Sequence, residues 1–260
     1  MRNLLLVFTL PITLVIGIFG LILGFSIIFF KLLKRITIRG PRSLFKAKAQ
    51  FLETLFTLLG FLSKADGRVS AYDIARTERL FMQLRLKEDA RNKAKYDFKY
   101  GAQPGFDPAA TTADFTACYG NSEASARMLM LVLINFIIGN GRVDESEETC
   151  LYAIGAGLLL RKTDVEQLLR SSMAGAAFRN SQGTASVKEH AKAAYQVLGV
   201  KPTASRKEVK TAYKRLVSAN HPDKMIAKGM PEQVITQANI KMQEIIGAYE
   251  SICTDKAWAK

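Results

Sequence analysis

Cysteine and histidine are scarce in this chain of 260 residues, with three of the first and two of the second. Cys118, Cys150 and Cys253 have no paired spacing, and no CxxC occurs. A disulfide scaffold and a Cys/His zinc site are excluded, which leaves inert thiols in a reducing compartment. No metal and no cofactor are expected. Acidic residues are missing from the N-terminal fifth of the chain, and the first in the sequence is Glu53. The net charge of +14 is correspondingly uneven. Residues 31–48 hold seven basic side chains and no acid, residues 188–260 hold thirteen basic against seven acidic, and residues 49–187 hold sixteen of each. An excess split in this way offers no continuous basic face with interleaved aromatics, so no nucleic-acid partner is expected.

The charge-free run comes first. Residues 4–30 are 27 positions without a charge, mostly Leu, Ile, Val and Phe. That exceeds the ~20 residues a helix needs to span a hydrocarbon core. A secretory signal peptide has a shorter apolar stretch ending in small residues, whereas this one ends in Ile27-Ile28-Phe29-Phe30 before Lys31. The segment 1–31 therefore reads as an uncleaved transmembrane anchor in contact with lipid. Residues 32–49 read as a basic juxtamembrane segment that also attracts anionic lipid headgroups. Only Arg2 and the amino terminus precede the span, while seven cations follow it. The positive-inside rule places the N-terminus outside, in the periplasm, and the body of the protein in the cytoplasm. Gly20 and Gly24 form a small-xxx-small pair that lets two such helices approach, so a homodimer through the span is one expectation.

The richest local pattern is His221-Pro222-Asp223-Lys224. Upstream, Ser205 with Glu208 three residues later is a capping box that opens a helix. Val209, Ala212, Tyr213, Leu216 and Val217 then recur at helical spacing as an apolar stripe. Lys207, Lys210, Lys214 and Arg215 fall on another face. Pro222 biases His221 away from the α region and ends the helix. A second helix is expected from about Pro231, with Ala238, Met242, Ile245, Tyr249 and Ile252 facing inward. The result is a helical hairpin with His221, Pro222 and Asp223 exposed in its loop. It is not a catalytic site, because His221 has no orienting partner except Asp223 and no nucleophile accompanies it. A basic helix beside a rigid polar loop is suited to docking on an acidic partner.

These residues, with Tyr195-Gln196-Val197-Leu198-Gly199-Val200 upstream and Ile245 to Ile252 downstream, resemble a J domain, spanning residues 188–260 here. The resemblance implies a DnaK-type heat-shock chaperone as partner. It assigns the essential contact to His221, Pro222 and Asp223, and the docking face to Lys210, Lys214 and Arg215. Ile246 stands where many J domains have Asn, and Met242 where they often have Phe.

The middle region, residues 50–170, is long enough for a helical domain with its own core. It carries an internal echo: Ala65-Asp66-Gly67-Arg68-Val69-Ser70 returns as Gly139-Asn140-Gly141-Arg142-Val143-Asp144. Each copy follows an apolar helix (Phe51 to Leu62; Met128 to Ile138) and precedes a more polar one. Glycine after Asp or Asn stops a helix, and Ser70 or Asp144 then caps the next. Tyr100 to Asp114, with two glycines and two prolines, reads as a loop or inserted connection. Residues 171–187, rich in small and polar types, read as a flexible linker. The paired helices resemble the TerB-like domain of membrane-anchored, DnaJ-like proteins of the DjlA type, and the order anchor, TerB-like domain, linker, J domain matches that family. The acids Asp66, Asp73, Asp144, Glu147 and Glu148 lack EF-hand spacing and read as helix-start residues.

The expected fold is all-α. The expected function is a bacterial inner-membrane co-chaperone that recruits DnaK to the cytoplasmic face and stimulates its ATPase, and is not itself an enzyme. The Gly/Phe-rich and cysteine-rich regions of general DnaJ proteins are missing, which points to narrow clients. A membrane-tethered stress-sensing scaffold acting through the TerB-like domain is the alternative, and it predicts function surviving His221→Gln. An enzyme housed in the middle domain would need convergent titratable groups, a pattern not found in residues 50–170.

Overall fold

The computed structural model describes residues 41–138, 143–181 and 187–258. The expected anchor, Gly20 and Gly24 lie outside the described residues. Among those described, no helix is long and apolar enough to cross a membrane, and every regular element is a helix. The order is α1 (Pro41–Leu62), α2 (Ala71–Gln83), α3 (Glu88–Gly101), α4 (Pro108–Tyr119), α5 (Glu123–Ile137), α6 (Glu145–Gly157), α7 (Lys162–Ser181), α8 (Val187–Leu198), α9 (Arg206–Ala219), α10 (Pro222–Ala227) and α11 (Glu232–Asp255).

Two apolar helices carry the middle core. In α1, Phe51, Leu55, Phe56, Leu58 and Leu59 are buried, and so are Thr54 and Thr57 between them. In α5 every residue from Met128 to Ile134 is buried. A helix apolar on most of its circumference must be wrapped by others, and α2, α3, α4, α6 and α7 do the wrapping. Phe51, Phe115 and Tyr119 stack edge and face, and the Tyr119 hydroxyl donates to the Ala47 carbonyl at 2.7 Å. That bond satisfies the polar tip of a buried ring.

The internal echo marks two similar helix pairs, α1–α2 and α5–α6. Ser70 caps α2 with a full capping box: the Asp73 N–H donates to Ser70 Oγ at 3.2 Å, and the Ser70 N–H donates to Asp73 Oδ2 at 3.1 Å. Asp144 and Glu147 form the equivalent box at α6. The pairs are joined through Arg76 of α2, whose guanidinium lies 4.4 Å from the Phe136 ring of α5 and 5.2 Å from Tyr72. Burial lowers the pKa of Arg76 from its ordinary value, and the nearby Asp73 and Glu147 oppose that shift.

Two expectations need correction. The supposed loop Tyr100 to Asp114 is mostly helix, because α3 runs to Gly101 and α4 begins at Pro108. Asp107 caps α4, accepting from the Ala109 N–H at 2.9 Å, so Pro108 sits where its missing N–H is harmless. Proline here opens a helix. The supposed linker is likewise helical as far as Ser181, since α7 continues unbroken from Lys162. Its small residues serve close packing: a Cβ at Gly175 would lie 2.3 Å from a Glu244 carboxylate oxygen of α11, and Ala174 and Phe178 are buried. Residues 182–186 lie outside the described residues.

The last four helices form the C-terminal hairpin and its supports. Val209, Ile245, Ala248 and Ile252 make a second core with Ala174 and Phe178 of α7 and with Ala194 and Leu198 of α8. Tyr213 stacks on Tyr249 at 4.3 Å, and Gly199 turns the chain after α8 at φ +67°.

Candidate functional site

The hairpin's tip is built from the end of α9, the short α10 and the start of α11. Ser205 opens α9 as expected, with the Ser205 N–H donating to Glu208 Oε2 at 2.7 Å. The bonds from Ser205 hold the Glu208 carboxyl below its usual range. Val209 and Ala212 are buried, whereas Lys207, Lys210, Lys214 and Arg215 are all exposed. The apolar stripe and the cationic face are therefore where the periodicity puts them.

His221 lies at the N-cap of α10, and Pro222 opens that helix. The expected open loop is in this respect a helix of six residues, which gives the motif a fixed frame. The Asp223 N–H donates to His221 Nδ1 at 3.3 Å, and Asp223 Oδ2 is 3.6 Å from the same nitrogen. With Nδ1 accepting, the neutral ring carries its proton on Nε2 as a donor for another molecule. The side chains are 43% exposed at His221 and 81% at Asp223. The arrangement contains no nucleophile for the imidazole to activate.

Lys224 and Met225 hold this tip in place; the sequence names Lys224 in the motif without a role for it and gives no place to Met225. Lys224 Nζ donates to the Ser218 carbonyl at 2.7 Å and to its hydroxyl at 2.8 Å, tying α10 back to the last turn of α9. Such a lysine also satisfies carbonyls left open at a helix C-terminus. Met225 is 1% exposed and packs, with Met230, Val234 and Ala238, into the core of the middle helices. Beside it, Lys228 Nζ bonds Ser122 Oγ of the middle region. At Gly229, a Cβ would come within about 3.2 Å of Leu44 backbone atoms, so the turn there presses on α1. An apolar residue three places beyond Pro222, at helical spacing, was the available signal.

A second joint lies along α11. Lys241 donates to the Ser171 carbonyl at 2.9 Å and to Glu244 Oε2 at 3.1 Å, and Arg179 of α7 pairs with Glu244. The hairpin therefore rests on the middle helices through buried apolar and ionic contacts. Among the described residues, no cluster of three His, Cys, Asp or Glu side chains could hold a metal.

The description "DnaJ domain" applies to a family model that matches residues 193–259, which covers the second half of α8 and all of α9, the tip and α11. Over 242 residues the chain is 32% identical to "Co-chaperone protein DjlA" of Pasteurella multocida, covering 83% of this chain and 84% of that relative. The protein of the same name from Shewanella oneidensis is 32% identical over 206 residues, covering 79% and 78%. That of Escherichia coli O157:H7 is 31% identical over 221 residues, covering 81% of each. No solved structure matches the chain.

Proposed function

The chain belongs to the DjlA family of DnaJ-like co-chaperones, and on that premise we propose that its J domain docks on a DnaK-type chaperone and stimulates the partner's ATPase. One observation carries the reading. His221 and Asp223 stand exposed on a frame fixed by Lys224 and Met225, next to the exposed Lys210, Lys214 and Arg215. The three cations steer an acidic surface to the tip and set its register. The His221 Nε2–H and the Asp223 carboxylate then supply one donor and one acceptor of fixed separation. The protein regulates a reaction carried out by another molecule.

The setting follows from the sequence. The uncharged run 4–30 anchors the chain in the bacterial inner membrane, the N-terminus is periplasmic, and the basic segment after it keeps the body in the cytoplasm beside DnaK and ATP. Pairing of anchors through Gly20 and Gly24 belongs to the same reading. The domain limits are an anchor at 1–31, a juxtamembrane segment at 32–49, a TerB-like domain from 50 and a J domain from 188.

The test is the ATPase turnover of purified DnaK with the full chain in nanodiscs, across a salt series. Stimulation that weakens with salt, and that Lys210→Glu with Lys214→Glu removes at low salt, is the expected result. Salt-independent stimulation unaffected by these changes would contradict docking through the basic face.

A further inference from the structure

A broad groove runs between α2, α5 and α7 on one side and the J-domain helices on the other. Leu84, Val132 and Phe136 give it an apolar floor. Its lining is cationic: Arg79 and Arg170 come from the middle helices and Lys201 and Arg215 from the J domain, against the single carboxylate of Glu166, which stands 3.6 Å from Arg170. Two further arginines there are already engaged, Arg76 on the Phe136 ring and Arg179 with Glu244. The remaining excess of positive charge has no counterpart among the described residues.

Hydrogen-bonding groups in the groove are also unmatched. Asn135 is exposed in a helix whose neighbouring positions are buried, and Gln167 and Gln237 line the same walls.

We propose that this groove binds an extended polypeptide segment in which acidic and apolar side chains alternate. In an extended chain successive side chains point to opposite faces. Apolar ones can thus settle on the floor while carboxylates meet the guanidinium and ammonium groups of the walls. The backbone N–H and C=O groups need partners once out of water, and the side-chain amides of Asn135, Gln167 and Gln237 supply them. Because Lys201 and Arg215 belong to the J domain, the bound segment lies beside the face that docks the partner chaperone. Its role as a client rests on the DnaK reading, whereas the binding itself does not.

The experiment is fluorescence anisotropy with the full chain in neutral phosphatidylcholine nanodiscs. The probe is a fluorescein-labelled peptide in which leucine alternates with glutamate, and the comparison is its leucine–lysine counterpart. The glutamate peptide should bind and the lysine peptide should not. Reversing two exposed arginines together, Arg79→Glu with Arg170→Glu, should weaken binding by about tenfold or more. The same variant should melt like the wild type and stimulate DnaK as before. No binding of the glutamate peptide, equal binding of both peptides, or unchanged affinity in the variant would each overturn the proposal. Failure of the DnaK reading would appear separately, as absent stimulation by the wild type with the peptide titration intact.

Discussion

Lys241 and Ser171 join the J domain to the middle helices. The ammonium nitrogen lies 2.9 Å from the Ser171 carbonyl oxygen, across a separation of 70 residues, at a site where the lysine side chain is 8% exposed. Glu244 is 6% exposed and sits 3.1 Å from the same nitrogen. Arg179 reaches this carboxylate from α7. The two parts of the molecule are thus fixed by a buried ionic joint, flanked by the stacked Phe178 and His190 rings.

Removing the ammonium leaves a carbonyl and part of a carboxylate unpaired in a buried place. Lys241→Met should destabilise the folded chain by about 2–3 kcal/mol at neutral pH, measured by urea denaturation. The pH dependence has a definite sign. Burial, aided by the Arg179 charge, pushes Lys241 down to about 8 from an ordinary 10.5. Between those values the unfolded chain holds a proton that the folded chain has released, so this group's contribution to stability rises with pH across that window. Below it both states are protonated and the contribution is constant. The stability difference between wild type and Lys241→Met should therefore grow in favour of wild type from pH 8 to 10.5. A difference that falls over that range would contradict the burial of a charged lysine here.

Helices α1 and α3 touch backbone to backbone. A Cβ at Gly60 would lie 2.0 Å from the Phe98 carbonyl oxygen, and one at Gly101 would lie 1.8 Å from that of Thr57. Neither helix can yield, since both contacts are main chain. Gly60→Ala should cost about 3 kcal/mol, read as a lowered melting temperature. An alanine variant as stable as wild type would show that the helices do not cross so closely.

The J domain should be less stable when cut out. Met225, Met230 and Val234 are buried against the middle helices in the longer chain, and each such side chain contributes about 1.5–3 kcal/mol when fully buried. A fragment of residues 187–260 should fold, melt below a fragment of residues 43–260, and bind a hydrophobic dye. Equal melting of the two would mean that the docked surface adds nothing.

The J domain was legible in the sequence because its signals are local. Ser205 and Glu208 are three residues apart, the stripe from Val209 to Val217 repeats within one helix, and Pro222 punctuates it. The paired turns at Ser70 and Asp144 were legible for the same reason, as repeats of a capping pattern. The linker was misread because glycine and alanine between 171 and 181 carry two meanings, flexibility or room for a neighbour. Only the opposite helix, with Glu244 against Gly175, decides between them. Pro108 taken alone reads as a breaker, and Asp107, the cap before it, is what makes it a helix start. The role of Lys241 could not be found at all, since the Ser171 carbonyl it meets lies 70 residues away in the chain.

The central claim is that the exposed His221 tip, held in a fixed frame, triggers hydrolysis in the partner chaperone. The most direct measurement is single-turnover ATP hydrolysis by DnaK mixed with the full chain in nanodiscs, wild type against His221→Gln. His221 is half-exposed and caps only a short helix, so the variant should fold and melt almost as wild type does. Wild type should accelerate hydrolysis, and His221→Gln should return it to the rate of DnaK alone. Acceleration that survives the substitution would contradict the account and move the function to the middle helices.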